Sequence, residues 1–225
     1  MTKACKLCLI AVAALFLASA PSAFADTLEL TGVGNNGSLD GIYVGPYIAT
    51  VDGVANTPVI CDDFSHESQL WEPWAANMST GSSLASVRFP TANYEDVAYL
   101  SNILFNLSGN NAEADALQFA IWYINDTSDV TSFLGASNPF LTDSTDIYGV
   151  MYWVDQAEAD ASASDLSNML IYTPQSGGDP QEFIVRTPEP GTLVLLFMGL
   201  AGLILLKGLK SGEIFSSRRR KSMLR

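Results

Sequence analysis

An apolar run lies at each end of the 225-residue chain, and the two together decide how much of it has to fold in water. At the N-terminal end Lys3 and Lys6 lead into CLIAVAALFLASA, and PSAFA stands before Asp26. A basic start, a short apolar stretch and an Ala-x-Ala site form the pattern of a secretory signal peptide, with cleavage expected after Ala25. At the other end no residue from Thr192 to Leu206 is charged, and Lys207, Lys210, Arg218, Arg219, Arg220, Lys221 and Arg225 follow. With Gly191 and the stem of Lys207 added, the run 191–207 reaches the length of a transmembrane helix. The basic residues that follow place the segment 208–225 in the cytoplasm. Residues 26–187 are therefore expected to be exported.

Between Asp26 and Thr187 there are 22 Asp and Glu against two arginines, Arg88 and Arg186, and no lysine. The formal charge there is −20, whereas the whole chain stands at −13. Such a domain repels polyanions, so no nucleic acid is expected as a partner. Cys5 and Cys8 fall within the signal peptide, which leaves Cys61 as the lone thiol of the exported part. One cysteine and one histidine, His66, cannot supply the ligands of a zinc site, and no calcium-loop pattern occurs. No metal and no cofactor is expected.

About 160 residues suit a single domain with a real core. Its first part is strand-like. TLELTGV, GIYVGPYIATV and TPVICDDF are rich in β-branched and aromatic residues, NNGSLDG is a turn cluster, and VDGVAN reads as a hairpin connection. The period then changes. Val97, Leu100, Leu104 and Leu107 fall at helical spacing, and AEADALQFAIWYIND and DIYGVMYWVDQAEADA continue in that style. NMLIYTP and QEFIVRT return to strand. N-terminal strands, central helices and C-terminal strands predict an α+β domain.

Pro188-Glu189-Pro190, one residue before the apolar run and ahead of the arginine cluster, resembles the PEP-CTERM sorting signal of Gram-negative bacteria that make exopolysaccharide. That resemblance implies export through the inner membrane by the export machinery and a membrane-anchored precursor. It further implies processing by an exosortase-type enzyme and delivery to the cell surface or extracellular matrix. In this chain KGLKSGEIFSS separates the helix from Arg218, whereas the family's arginines come directly after it.

Cys61 ends a strand-like run and is followed by Asp62, Asp63 and Phe64; ALQFAIW, Ala116 to Trp122, lies downstream. Adjacent carboxylates raise a thiol's pKa and disfavour thiolate, which weakens a cysteine hydrolase using Cys61 and His66. The pair ICDDF and LQFAIW is similar to the thioester domains of bacterial surface adhesins, with Asp62 where an apolar residue is usual and Ala116 where threonine is. The resemblance implies that Cys61 supplies the sulfur and Gln118 the acyl carbon of an internal thioester. Phe64, Phe119 and Trp122 would then shelter the bond from water, and the ligand would be an amine-bearing surface group. Residue types alone also allow Cys61 to be a small buried hydrophobe and Gln118 an ordinary hydrogen-bonding residue. Three readings stand at this point: a non-enzymatic thioester adhesin, a passive component of the exopolysaccharide or biofilm matrix with an inert cysteine, and an exported cysteine hydrolase.

Overall fold

The computed structural model of the chain describes residues 26–34, 37–107, 111–176, 178, 180–187 and 199. The signal peptide with its cleavage at Ala25, the Pro188-Glu189-Pro190 motif and Arg218, Arg219, Arg220 and Lys221 lie outside the described residues. So does the apolar run 191–207, Gly199 apart. Among the described residues no helix is long and apolar enough to cross a membrane.

Eight strands occur among the described residues. They are β1 (Thr27–Gly32), β2 (Ser38–Leu39), β3 (Ile42–Tyr43), β4 (Tyr47–Val51), β5 (Val54–Cys61), β6 (Trp74–Thr80), β7 (Met169–Pro174) and β8 (Phe183–Arg186). Six of them close into an antiparallel barrel in the order β1-β4-β5-β8-β7-β6, and β2 and β3 form a separate ribbon. Closure removes the free sheet edges that would otherwise template aggregation. Two Asp-Gly pairs set the hairpins: Asp40-Gly41 and Asp52-Gly53 all have positive φ, between pairs Leu39↔Ile42 and Val51↔Val54. Only a primed turn has that geometry, and its twist matches the flanking strands. The run GIYVGPYIATV is thus two strands, not one, interrupted at the cis Gly45-Pro46 peptide.

The helices are α1 (Tyr94–Asn106), α2 (Asn111–Asn125), α3 (Thr127–Leu134), α4 (Pro139–Thr142), α5 (Val150–Asp160) and α6 (Ala163–Leu166), with a 3-10 turn at Thr91–Asn93 before α1. The expected periodicity of α1 is observed at Val97, Leu100 and Leu104, which are buried, while Leu107 caps the end half-buried. The central helix is α2, which packs against α1, α3 and α5. Every residue from Ala116 to Trp122 is buried, as a helix surrounded by other elements requires.

Burial along the strands shows which wall of the barrel the helices cover. In β4, Tyr47, Ala49 and Val51 alternate with half-exposed neighbours, so one face meets water. In β5 and β8 the runs Val59-Ile60-Cys61 and Phe183-Ile184-Val185 are buried without a break, so both faces are covered. The register pairs Cys61 with Phe183 and Tyr47 with Val59, and the rings of Tyr47 and Phe183 meet edge to face at 6.0 Å. Cys61 therefore shares the inward face with these rings, and Ile60 and Asp62 take the other.

Candidate functional site

Cys61 is the last residue of β5, fully buried, and a free thiol. The S–H donates to the backbone carbonyl of Asp63 at 3.1 Å. Burial pushes the thiol pKa well up, and the charges of Asp63 and then Asp62 push it further; the Asp63 backbone contact and the Trp122 side chain work the other way. The carboxylate effect expected from the sequence is present, but desolvation is the larger cause.

Gln118 comes from the middle of α2, and it too is fully buried. Its carboxamide bridges the end of β5 and the bend between β3 and β4. Nε2 donates to the backbone carbonyl of Cys61 at 2.7 Å, and Oε1 accepts from the N–H of Gly45 at 3.1 Å. Both ends of a buried amide are thereby satisfied, and the acyl carbon is held beside the residue that carries the sulfur. A β-carbon at Gly45 would lie 2.7 Å from Oε1, so only glycine lets the backbone come this close. The sequence motif contains no hint of Gly45; the Gly-Pro pair inside what reads as one strand-like run is the signal that could have found it.

Phe64, Phe119 and Trp122 meet as one aromatic cluster. Phe64 lies 5.2 Å from Trp122 and 6.1 Å from Phe119, Phe119 lies 5.1 Å from Trp122, and Phe133 closes the outer side 5.6 Å from Phe64. Aromatic pairs at such spacing add to what their burial contributes. The backbone N–H of Phe64 is fixed by Asp126 at 2.9 Å, and Asn125 donates to the carbonyl of Asp62 at 2.9 Å, so the C-terminal end of α2 pins the turn that follows Cys61. The indole N–H of Trp122 is buried and makes no hydrogen bond of ordinary geometry, the Cys61 thiol being the group it acts on.

Sequence reasoning missed the polar frame behind this turn. Asp63 is wholly buried; it accepts from Arg88, from the N–H of Ser65 at 3.2 Å and from the N–H of Glu182 at 3.3 Å, and its Oδ1 lies 2.9 Å from His66 Nδ1. Glu182, also buried, accepts from Tyr94, Thr173 and the backbone of Arg88. Asp62 is buried on the same side with neither oxygen hydrogen-bonded; burial first, then Glu182 and Asp63, raises its pKa well above the usual carboxylate range. His66 is thus held by Asp63 rather than by the sulfur. Among the described residues no group of three or more metal-ligating side chains converges.

No protein-family model matches the chain, and no curated protein does. Among solved structures it is similar to the N-terminal thioester domain of fibronectin-binding protein SfbI from Streptococcus pyogenes, at 14% identity over 76% of this chain and 97% of that one, with a TM-score of 0.44.

Proposed function

We propose that residues 26–187 form an exported domain carrying an internal thioester between Cys61 and Gln118, used for covalent attachment to an amine-bearing surface ligand, and that the PEP-CTERM-like tail sorts the protein to the cell surface or matrix. The observation that supports this reading is the carboxamide of Gln118 held between the Gly45 N–H and the Cys61 carbonyl. Bond formation balances simply. The sulfur attacks the Gln118 acyl carbon, the carbon–nitrogen bond breaks, and ammonia leaves with the thiol proton. As charge builds on Oε1, the Gly45 N–H is already aimed at it. The burial that raises the thiol pKa also makes the sulfur a poor leaving group, so the bond survives until a nucleophile is positioned against it.

Intact mass of the purified protein tests the reading. A closed thioester lacks the mass of one ammonia, and methylamine treatment adds one methylamine to the Gln118 acyl group. A protein of full calculated mass that takes up no amine refutes the reading. It would leave Cys61 as a buried thiol donating to Asp63, the arrangement a passive matrix protein would have.

A further inference from the structure

We infer that His66, oriented by Asp63, is the general base that readies an incoming amine for attack on the Cys61–Gln118 acyl group; this rests on the internal thioester proposed above. A cleft of about 310 Å³ is lined in part by Tyr47, Phe64, Trp122, His66 and Glu67; Cys61 and Gln118, both fully buried, do not line it, and the shared aromatic residues connect it to them. Tyr47, Phe64 and Trp122 belong to both the cleft and the shelter of the sulfur. Tyr47 is close enough to Cys61 for the sulfur to help burial raise its hydroxyl pKa, and Phe64 and Trp122 are two rings of the aromatic cluster. An amine that reaches the acyl carbon from this side passes His66.

The imidazole is built for the task. Its Nδ1 is committed to Asp63 at 2.9 Å, and Arg88 takes the other carboxylate oxygen, which leaves Nε2 as the ring nitrogen to accept a proton. The side chain is 31% exposed, so it meets solvent and the cleft together. Exposed Glu67 on the cleft wall, in a lysine-free domain of strongly negative charge, draws an ammonium ion inward. An ammonium is not a nucleophile until it loses a proton, and a base within reach supplies what bulk water supplies slowly.

The protons balance as follows. His66 takes one from the ammonium and passes it to solvent. The free amine attacks the acyl carbon, the carbon–sulfur bond breaks, and the second proton lost from nitrogen ends on the Cys61 sulfur. The third stays on the new amide. No oxidant or cofactor is required.

The test uses the full chain, wild type beside His66→Ala and His66→Gln, with methylamine as probe. Gln keeps a donor for Asp63 but cannot accept a proton in the imidazole's way. Intact mass before exposure reports the thioester in each protein. The expected result is that all three lack one ammonia, that both variants take up methylamine on the order of 100-fold more slowly, and that free imidazole in the buffer restores much of the His66→Ala rate. Wild type at full calculated mass would sink the thioester and the role of His66 together. Wild type lacking ammonia, with either variant reacting at the wild-type rate, would sink only the role of His66. A slow His66→Ala that imidazole does not rescue would likewise overturn the general-base role, since a lost packing contact is not replaced by a soluble base.

Discussion

Arg88 pairs with Asp63, whose carboxylate is wholly buried, and its guanidinium also donates to the carbonyls of Gly178 and Pro180, at 3.2 Å each. One cation thus ties the turn after Cys61 to the segment that leads into β8. Replacing Arg88 with Ala strands a buried carboxylate, and breaking such a pair from one side costs about 3–5 kcal/mol. Urea unfolding should show that loss, and Arg88→Lys should recover only part of it, because a point charge cannot reach Asp63 and two carbonyls together.

Gly45→Ala should uncouple the bond from the fold. The added methyl meets Gln118 Oε1 and displaces the carboxamide from its place against Cys61. A stability loss of about 1–3 kcal/mol is expected, with the protein still folded but recovered at full calculated mass. Retention of the ammonia deficit would show that the Gly45 contact is not needed for bond formation.

Gln118→Ala and Cys61→Ala should each abolish methylamine uptake. Gln118→Ala also removes the 2.7 Å donor from the buried Cys61 carbonyl, a loss of about 1–3 kcal/mol, so its denaturation midpoint should shift while its circular dichroism does not.

Acid and base should affect this domain in an unusual direction. Asp62 and Asp115 both have pKa values raised by burial, Asp115 to about 6 from 3.8. An acid whose folded pKa lies above its unfolded value binds more protons when folded, so its contribution to stability is complete below the unfolded pKa and is lost as pH rises through the folded one. Asp115→Asn should therefore flatten the stability profile between pH 3.8 and about 6. Asp62→Asn should raise stability at neutral pH, because burial without a hydrogen-bond partner raises the native pKa and folding there must either protonate the carboxylate or bury its charge. Denaturant midpoints measured across pH would show both, and an unchanged slope in Asp115→Asn would contradict the assignment.

The sorting signal has its own test. Replacing Pro188-Glu189-Pro190 should leave the protein at precursor length and membrane-retained in a host with an exosortase, where the native chain is shortened. Equal size and location for the two would refute it.

Much of the local structure was legible because each element carries its own period or punctuation. The helix at Val97, Leu100 and Leu104 and the two Asp-Gly hairpins follow from neighbours in sequence. β6 was not legible: in WAANMST only Ala76 and Ser79 are buried, which leaves little alternation to detect. Closure of the barrel was invisible for another reason, since it joins β1 to β6 and β5 to β8, and pairings at that separation leave no local trace. At the site, Cys61 and Gln118 carried a motif, while Gly45, Asp63, Arg88 and Glu182 act through a backbone N–H or through partners far along the chain.

The pairing of β5 with β8 has a mechanical meaning. In the proposed linkage the ligand remains on Gln118 after the sulfur leaves, and if the proposed C-terminal tail tethers the protein, a pull between them runs along the covalent chain from Gln118 to Arg186. Residues 26–117, including Cys61, lie outside that load path and follow only through contacts such as Cys61↔Phe183 and Val59↔Val185. Tension that frays β8 would therefore open the wall beside the sulfur while the ligand stays bonded to Gln118.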